Sequence, residues 1–131
     1  MKELVLIDTS GWICFFSRRG FDEMKRIIFT LLDEDRAVIA GPILIELLQG
    51  TRTVEEKETI KRLIRGIRWL PVADEHWQKA AEMAFDLRRK GITSSAIDTL
   101  IAALAIEHNC KLLHKDSHFD LISQNSSLKC Y

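Results

Sequence analysis

The chain has 131 residues, of which 47% are hydrophobic and 29% are charged. This balance is typical of a globular protein and excludes a disordered or fibrous chain, and the length predicts a single domain over residues 1–131. Nineteen basic and nineteen acidic side chains cancel, so no overall positive field attracts the protein to nucleic acid or to an anionic membrane. Any polyanion must therefore be recognised by a local surface.

The first residues and the cysteines indicate the compartment. The apolar run before Asp8 has only four residues, at 4–7, and it is too short for a signal peptide or a membrane span. Cys14, Cys110 and Cys130 are odd in number and lack the spacing of a zinc site or a disulfide framework. We therefore expect a cytoplasmic protein with reduced thiols and no membrane association.

Short apolar runs, which are candidate strands, alternate along the chain with segments of helical spacing. In chain order the predicted elements are a strand at 4–7, a helix starting near Ser10, a helix around 24–32, a strand at 37–40, a helix at 42–50, a helix at 54–67, a strand at 69–72, a helix at 75–90, a helix at 95–108 and a strand at 112–113. Residues 127–130 could add a final edge strand. The alternation predicts an α/β fold with a parallel sheet covered by helices.

Four carboxylates fall where a parallel sheet presents its ligands. In such sheets, side chains from several strands converge outside the carboxyl ends of the strands. Asp8 directly follows the first predicted strand, and Asp116 follows the last one by a few residues. Glu46 and Asp98 lie near the starts of two helices that begin at the same edge. We expect the four side chains to share this edge.

Each carboxylate also has a purely structural interpretation. Asp8 could cap the first helix, and Asp98 stands three residues after Ser95, as in a capping box. Glu46 could be a partly solvated surface residue, and Asp116 could be an ordinary turn residue. Their positions alone do not separate these roles from a functional one.

The surroundings of Asp98 favour a functional role. The helix at 95–108 is apolar almost all the way round, as expected of a buried helix. Residues 91–110 contain no lysine or arginine that could pair with the carboxylate. Because an ionised carboxylate in such a place is costly unless it is paired or binds a metal, a cation from outside the chain is the natural partner.

A divalent ion would also relieve the mutual repulsion of the four carboxylates. Oxygen ligands suit Mg²⁺ or Mn²⁺, so we predict that Asp8, Glu46, Asp98 and Asp116 bind one of these ions. The sequence lacks a GxSxG elbow, a Walker loop and a GxGxxG fingerprint, which are the marks of the competing chemistries.

Four motifs, taken in order, resemble those of PIN-domain ribonucleases and most closely the VapC-type toxins of VapBC toxin–antitoxin pairs. The motifs are LIDTSGW at 6–12, ILIELLQG at 43–50, DTLIAA at 98–103 and LLHKDSHF at 112–119. The resemblance covers essentially the whole chain. It implies a PIN-like three-layer sandwich with a central parallel sheet flanked by helices.

The resemblance also implies an activity and partners. In the family, the acids that match the four carboxylates hold one or two Mg²⁺ or Mn²⁺ ions, and a residue matching Thr9 or Ser10 helps to position water or a ligand. A metal-activated water then hydrolyses RNA phosphodiesters, leaving a 5′-phosphate and a 3′-hydroxyl. By this resemblance we expect a metal-dependent endoribonuclease that forms a homodimer and is inhibited by a small cognate antitoxin.

One position departs from the family pattern. The residue two places after Asp116 is often a further aspartate in the family, whereas this chain has His118. The change leaves the occupancy of a second metal site open. His118 could contact substrate or metal-bound water, or it could be a plain surface residue.

Because the net charge is zero, local basic groups must bind the RNA phosphates. Most of the arginine and lysine pairs in the sequence are explained as solvated helix faces. Arg18 and Arg19 are the preferred candidates for RNA contact, since they follow the helix that starts beside Asp8.

Three other interpretations remain open from the sequence. A haloacid-dehalogenase-like phosphatase also has an aspartate after its first strand, but it needs a second aspartate two residues later, where this chain has Ser10. The chain could also be a PIN nuclease of RNA processing without an antitoxin. It could instead be a PIN module that binds RNA or protein without cleaving it.

Overall fold

A computed structural model describes residues 2–131, and strands and helices alternate along it as the sequence predicts. The elements are β1 (Val5–Ile7), α1 (Thr9–Phe16), α2 (Asp22–Asp33), β2 (Ala37–Ile39), α3 (Gly41–Gln49), α4 (Val54–Arg65), β3 (Arg68–Trp69), α5 (Asp74–Arg89), α6 (Ala96–Glu107), β4 (Lys111–Leu113) and α7 (Ser117–Gln124). Within these described residues, no helix combines the length and apolarity needed to cross a membrane.

The four strands form one parallel sheet in the order β3-β2-β1-β4. The central strand β1 pairs on both sides, with Val5 opposite Ala37 of β2 and opposite Lys111 of β4. Because all strands run in the same direction, their carboxyl ends lie at one edge of the sheet. The predicted α/β fold with a central parallel sheet flanked by helices is confirmed.

The core is built from the strands and from α6. Every residue of β1 and β2 is buried, which explains why these strands are unbroken apolar runs rather than alternating patterns. Residues 99–105 of α6 are also all buried, and α6 packs against α5, α7 and β4. The predicted burial of this helix is confirmed, so Asp98 lies just before a fully buried segment.

Several helices begin at a side chain that accepts a hydrogen bond from the backbone of the first turn. Asp8, Thr53, Ser95 and Asp116 have this role in α1, α4, α6 and α7. Such a cap satisfies a free backbone N–H and contributes about 1 kcal/mol. The cap considered for Asp8 is therefore present, and Asp116 is also a cap. Each cap uses only one carboxylate oxygen, Oδ2 of Asp8 and Oδ1 of Asp116.

The structure corrects three details of the predicted elements. Helix α7 was not predicted, and Asp116 caps it instead of lying in an ordinary turn. Strand β3 is only two residues long and exposed, and it begins one residue before the predicted run at 69–72. The expected edge strand at 127–130 is wrong as a strand, because only an isolated bridge joins Leu112 to Cys130.

Candidate active site

The candidate site lies at the carboxyl edge of the sheet, where β1 and β4 end side by side. Asp8 follows β1 directly and is 5% exposed. Its backbone N–H donates to the carbonyl of Leu113, the last residue of β4, at 2.9 Å. Asp116 lies three residues after Leu113 and caps α7. The parallel pairing of the two strands therefore brings both aspartates to the same end of the sheet.

A glycine allows α1 to start close to these strands. A Cβ atom at Gly11 would lie 3.0 Å from Cγ2 of Ile7 and 3.6 Å from the carbonyl oxygen of Leu113. A distance of 3.0 Å is tighter than ordinary packing. The glycine of the first motif thus permits a close approach between the first turn of α1 and the strand ends.

Ser10 joins the two strand ends through its hydroxyl group. The hydroxyl donates to Oδ2 of Asp8 at 2.7 Å and accepts a hydrogen bond from the backbone N–H of Lys115 at 2.9 Å. The backbone N–H of Ser10 also donates to Oδ2 of Asp8, at 3.0 Å. Oδ2 is therefore held by two donors, and among residues 2–131 no donor is assigned to Oδ1.

Thr9 connects the first strand end to α3. Its hydroxyl donates to Oε1 of Glu46 at 2.7 Å, a short hydrogen bond of the charge-assisted kind. Helix α3 starts immediately after β2, the neighbour of β1, so its first turns pass close to the edge where Thr9 lies. This contact fixes the Glu46 carboxylate beside α1.

Asp98 is under the electrostatic influence of the other three carboxylates. Its pKa is raised, with burial as the largest cause and the charge of Asp8 next. A hydrogen bond with Ser95 opposes the shift, and the charges of Asp116 and Glu46 add to it. The other three acids that the sequence places at this edge are therefore close enough to Asp98 for their charges to act on its carboxyl group.

Asp116 and Asp98 form a compact group with His118. One ligand atom from each of the three residues lies within 4.8 Å of the other two. The backbone N–H of His118 donates to Oδ1 of Asp116 at 2.9 Å, and Nδ1 of the same histidine lies 3.3 Å from that oxygen. The ring of His118 thus lies beside the carboxylates of the candidate site.

His114 is a further residue beside the candidate site, and the sequence did not indicate it. Its Nδ1 accepts a hydrogen bond from the backbone N–H of Asp116 at 3.0 Å, and its Nε2 lies 3.5 Å from Oδ1 of Asp120. Only 8% of its side chain is exposed, and its ring packs against Phe119. His114 therefore orients the backbone that carries Asp116, and no sequence signal marks it, because the contact depends on the turn before the unpredicted helix α7.

Arg18 and Arg19 lie outside this group. Both are exposed in the loop between α1 and α2. In the part of the chain that the structure describes, no hydrogen bond or ion pair joins either side chain to the four carboxylates. The structure leaves them free to contact a ligand, but it does not bring them into the acidic cluster.

The donor set fits a divalent ion. Across residues 2–131, no lysine or arginine pairs with Asp8, Glu46, Asp98 or Asp116, and the ion pair found at these acids involves His118. Carboxylates that converge without a protein cation are stabilised by a hard ion such as Mg²⁺ or Mn²⁺. The haloacid-dehalogenase alternative gains no support, because the position that needs a second acid is occupied by the Ser10 hydroxyl, bonded to Asp8.

Comparison with known proteins agrees with this architecture. The family profile described as PIN domain matches residues 5–124. Ribonuclease VapC11 of Mycobacterium tuberculosis is 38% identical over 133 aligned residues, which cover 96% of this chain and 96% of that protein. A VapC ribonuclease of Mycobacterium bovis matches with the same identity and coverage.

Solved structures share the fold at lower sequence identity. VapBC2 of Rickettsia felis, bound to a DNA fragment from its promoter, matches with a TM-score of 0.81 and 17% identity over 98% of this chain and 97% of the other. DNA-bound VapBC of Salmonella typhimurium matches with a TM-score of 0.77 and 16% identity, over 99% and 98% of the two chains. With the profile, the fold and the ordered motifs in agreement, the chain belongs to the PIN-domain family.

Proposed function

We propose that the protein is a metal-dependent endoribonuclease and the toxin of a toxin–antitoxin pair. One observation carries the proposal: four carboxylates of a PIN domain converge at the sheet edge without a lysine or arginine partner in the described residues. The 38% identity to ribonuclease VapC11 over nearly the whole chain supports RNA as the substrate. The catalytic residues we propose are Asp8, Glu46, Asp98 and Asp116.

The same four carboxylates would hold Mg²⁺ or Mn²⁺. When bound, such an ion lowers the pKa of a coordinated water and stabilises the negative charge that develops on the phosphate oxygens. The chain provides the geometry for this chemistry. Oδ2 of Asp8 and Oδ1 of Asp116 accept the hydrogen bonds of the helix caps. Each carboxylate still has lone pairs for an ion, on its uncapped oxygen and, for Asp116, on Oδ1 beside the cap bond.

Two hydroxyl groups have positioning roles in this proposal. Thr9 holds Glu46 at 2.7 Å and Ser10 holds Asp8 at 2.7 Å, so neither carboxylate has to be ordered when the ion arrives. Preorganised ligands of this kind reduce the reorganisation needed during the reaction. Arg18 and Arg19 would contact RNA phosphates from the loop after α1, which supplies positive charge locally in a chain of zero net charge.

The proposed partners follow the relatives. The similar solved structures are VapBC complexes, which supports a small antitoxin as the cognate partner, and we further propose a homodimer. Several apolar side chains on the helices around the site are exposed, including Ile13 of α1 at 60% and Ile45 of α3 at 68%, and exposed apolar surface marks protein contacts. Because RNA is the proposed substrate, we place the protein in the cytoplasm.

Cleavage of total RNA by the purified protein, freed of antitoxin, tests the activity. Mg²⁺ or Mn²⁺ should support cleavage, EDTA should stop it, and the products should carry 5′-phosphates and 3′-hydroxyls. Asp98→Asn should abolish cleavage without unfolding the protein, because Ser95 and not Asp98 caps α6. Asp74→Asn is the matched control, since it removes one exposed acid from the first turn of α5. That turn lies near the end of α6 opposite to Asp98, because the ring of His76 packs against that of His108.

The outcomes separate the remaining alternatives. Full activity of Asp98→Asn would refute the site. A folded protein that binds metal but cuts no RNA, including transfer and ribosomal RNA, would favour a PIN module that only binds. An active nuclease without an adjacent reading frame for a small DNA-binding protein would favour RNA processing without an antitoxin.

A further inference from the structure

His118 has an imidazole ring that lies beside the acidic cluster and outside the packed core. Its side chain is 69% exposed, so the ring contributes little to packing. Its backbone N–H is fixed by the cap of α7, where it donates to Oδ1 of Asp116 at 2.9 Å. Among the described residues, no partner is assigned to Nε2 of this ring. The backbone therefore holds the ring near the carboxylates, and in the described residues the polar contact of Nδ1 is with Asp116.

The distances around Nδ1 are compatible with those around a metal ligand. It lies 3.3 Å from Oδ1 of Asp116, and the atoms offered by Asp98, Asp116 and His118 all lie within 4.8 Å of one another. Neighbouring ligand atoms on an octahedral ion with bonds of roughly 2.1 Å are about 3 Å apart. A small inward adjustment would thus place one nitrogen and two carboxylate oxygens around a single ion.

The other three histidines are committed elsewhere. Nδ1 of His114 accepts from the backbone of Asp116, and Nδ1 of His76 accepts from the backbone of Ala73. Nε2 of His108 contacts the carbonyl of Pro71 at 3.1 Å. His118 is therefore the histidine whose ring can serve the acidic cluster.

We propose that Nδ1 of His118 is a direct ligand of the ion held by Asp98 and Asp116, and that this nitrogen makes the site prefer Mn²⁺ to Mg²⁺. Mg²⁺ strongly prefers oxygen donors, whereas imidazole nitrogen suits first-row transition ions better. The inference rests on the proposed function, since it requires the carboxylates to bind a divalent ion. It adds the identity of a ligand and the selectivity of the site.

Spectroscopy of the Mn²⁺-loaded full chain without RNA tests the ligand directly. Pulsed electron paramagnetic resonance should show modulation from a directly coordinated ¹⁴N nucleus. His118→Asn should abolish this signal, because the asparagine side chain offers an amide oxygen close to the position of Nδ1. His108→Asn is the matched control and should leave the signal unchanged.

Competition between the two ions tests the selectivity. The Kd for Mn²⁺ is measured from the electron paramagnetic resonance signal of free Mn²⁺. The Kd for Mg²⁺ is measured from the concentration of Mg²⁺ that displaces Mn²⁺ from the protein. The ratio of the Mg²⁺ Kd to the Mn²⁺ Kd expresses the preference for Mn²⁺. We expect His118→Asn and His118→Asp to lower this ratio by about tenfold, since loss of a residue that only supports a metal ligand already weakens binding by about tenfold or more. His118→Ala should weaken Mn²⁺ binding without giving the site an oxygen ligand in exchange.

Failure of this inference is distinguishable from failure of the proposed function. If Mn²⁺ binds in a manner that Asp98→Asn abolishes, but no nitrogen modulation appears and His118→Asn leaves the ratio unchanged, the role of His118 is refuted while the carboxylate site stands. If Mg²⁺ binds to the carboxylates but Mn²⁺ does not, the role of His118 is refuted and the proposed function stands; if neither ion binds, both proposals are refuted.

Discussion

Removing the Ser10 hydroxyl group should destabilise the protein because this group supports a buried carboxylate. Ser10→Ala deletes the 2.7 Å hydrogen bond from the serine hydroxyl to Asp8, a residue that is only 5% exposed. A hydrogen bond to a charged group is worth about 1.5–3 kcal/mol. The N–H of Lys115 also loses its acceptor, but Lys115 is exposed and water can replace it. Alanine recovers about 0.5 kcal/mol as the better helix former.

The net expectation is a loss of about 1–2.5 kcal/mol in the free energy of unfolding. Urea titration of the metal-free protein, followed by circular dichroism, measures this quantity. Ser17→Ala is the matched control, since the Ser17 hydroxyl at the other end of α1 donates only to the carbonyl of Arg19 and is exposed. The reasoning would be refuted if the two variants lost the same stability, or if Ser10→Ala lost less than about 0.5 kcal/mol.

Three further predictions concern neighbouring features of the site. Gly11→Ala should lower the free energy of unfolding by about 1–3 kcal/mol because the new Cβ would crowd Ile7. Gly66→Ala, at the C-cap of α4 with a negative φ and no atom closer than 3.9 Å to the new Cβ, should be neutral or stabilising by up to about 1 kcal/mol. Equal effects of the two substitutions in thermal unfolding would contradict the close approach at Gly11. His114→Phe should weaken Mn²⁺ binding by about tenfold, because the backbone N–H of Asp116 loses its acceptor. His114→Asn should retain binding, because its side-chain oxygen can accept the same hydrogen bond. Isothermal titration calorimetry measures both affinities, and equally weak binding by the two variants would contradict this role. The raised pKa of Asp98 means that the folded protein binds the carboxyl proton more tightly than the unfolded chain does. The contribution of this group to the free energy of unfolding is therefore fully present below about pH 4 and is lost as the pH rises through the pKa of the folded state. Asp98→Asn should therefore raise the stability of the metal-free protein at neutral pH, and this advantage should shrink on acidification; an advantage that grew in acid would refute the sign.

The sequence was sufficient to place the acids but not to arrange them. Asp8 and Asp116 could be assigned to one edge because parallel strands end together, and Asp98 could be singled out because an apolar helix surrounds it. The contact between Thr9 and Glu46 could not be foreseen, because it joins residues 37 positions apart through the packing of α1 on α3.

The surroundings of Asp116 were the least predictable part of the site. Helix α7 has eight residues, of which only Phe119 and Ile122 are buried, so its apolar pattern is too short to distinguish from a loop. Because the helix could not be predicted, the role of Asp116 as its cap could not be predicted either. The positions of His114 and His118 depend on the same turn, and their contacts with Asp116 therefore required the structure.

The two edges of the sheet affect the tendency of the protein to aggregate when no partner is bound. An open edge strand offers unpaired backbone groups to which another chain can add, which is a common start of aggregation. Here β3 is two residues long, so it offers few such groups. At the opposite edge, the C-terminal segment covers β4, because Leu112 donates to the carbonyl of Lys129 and accepts from Tyr131. Both edges are thus poor templates for strand addition, which favours a protein that remains dispersed when no partner covers it.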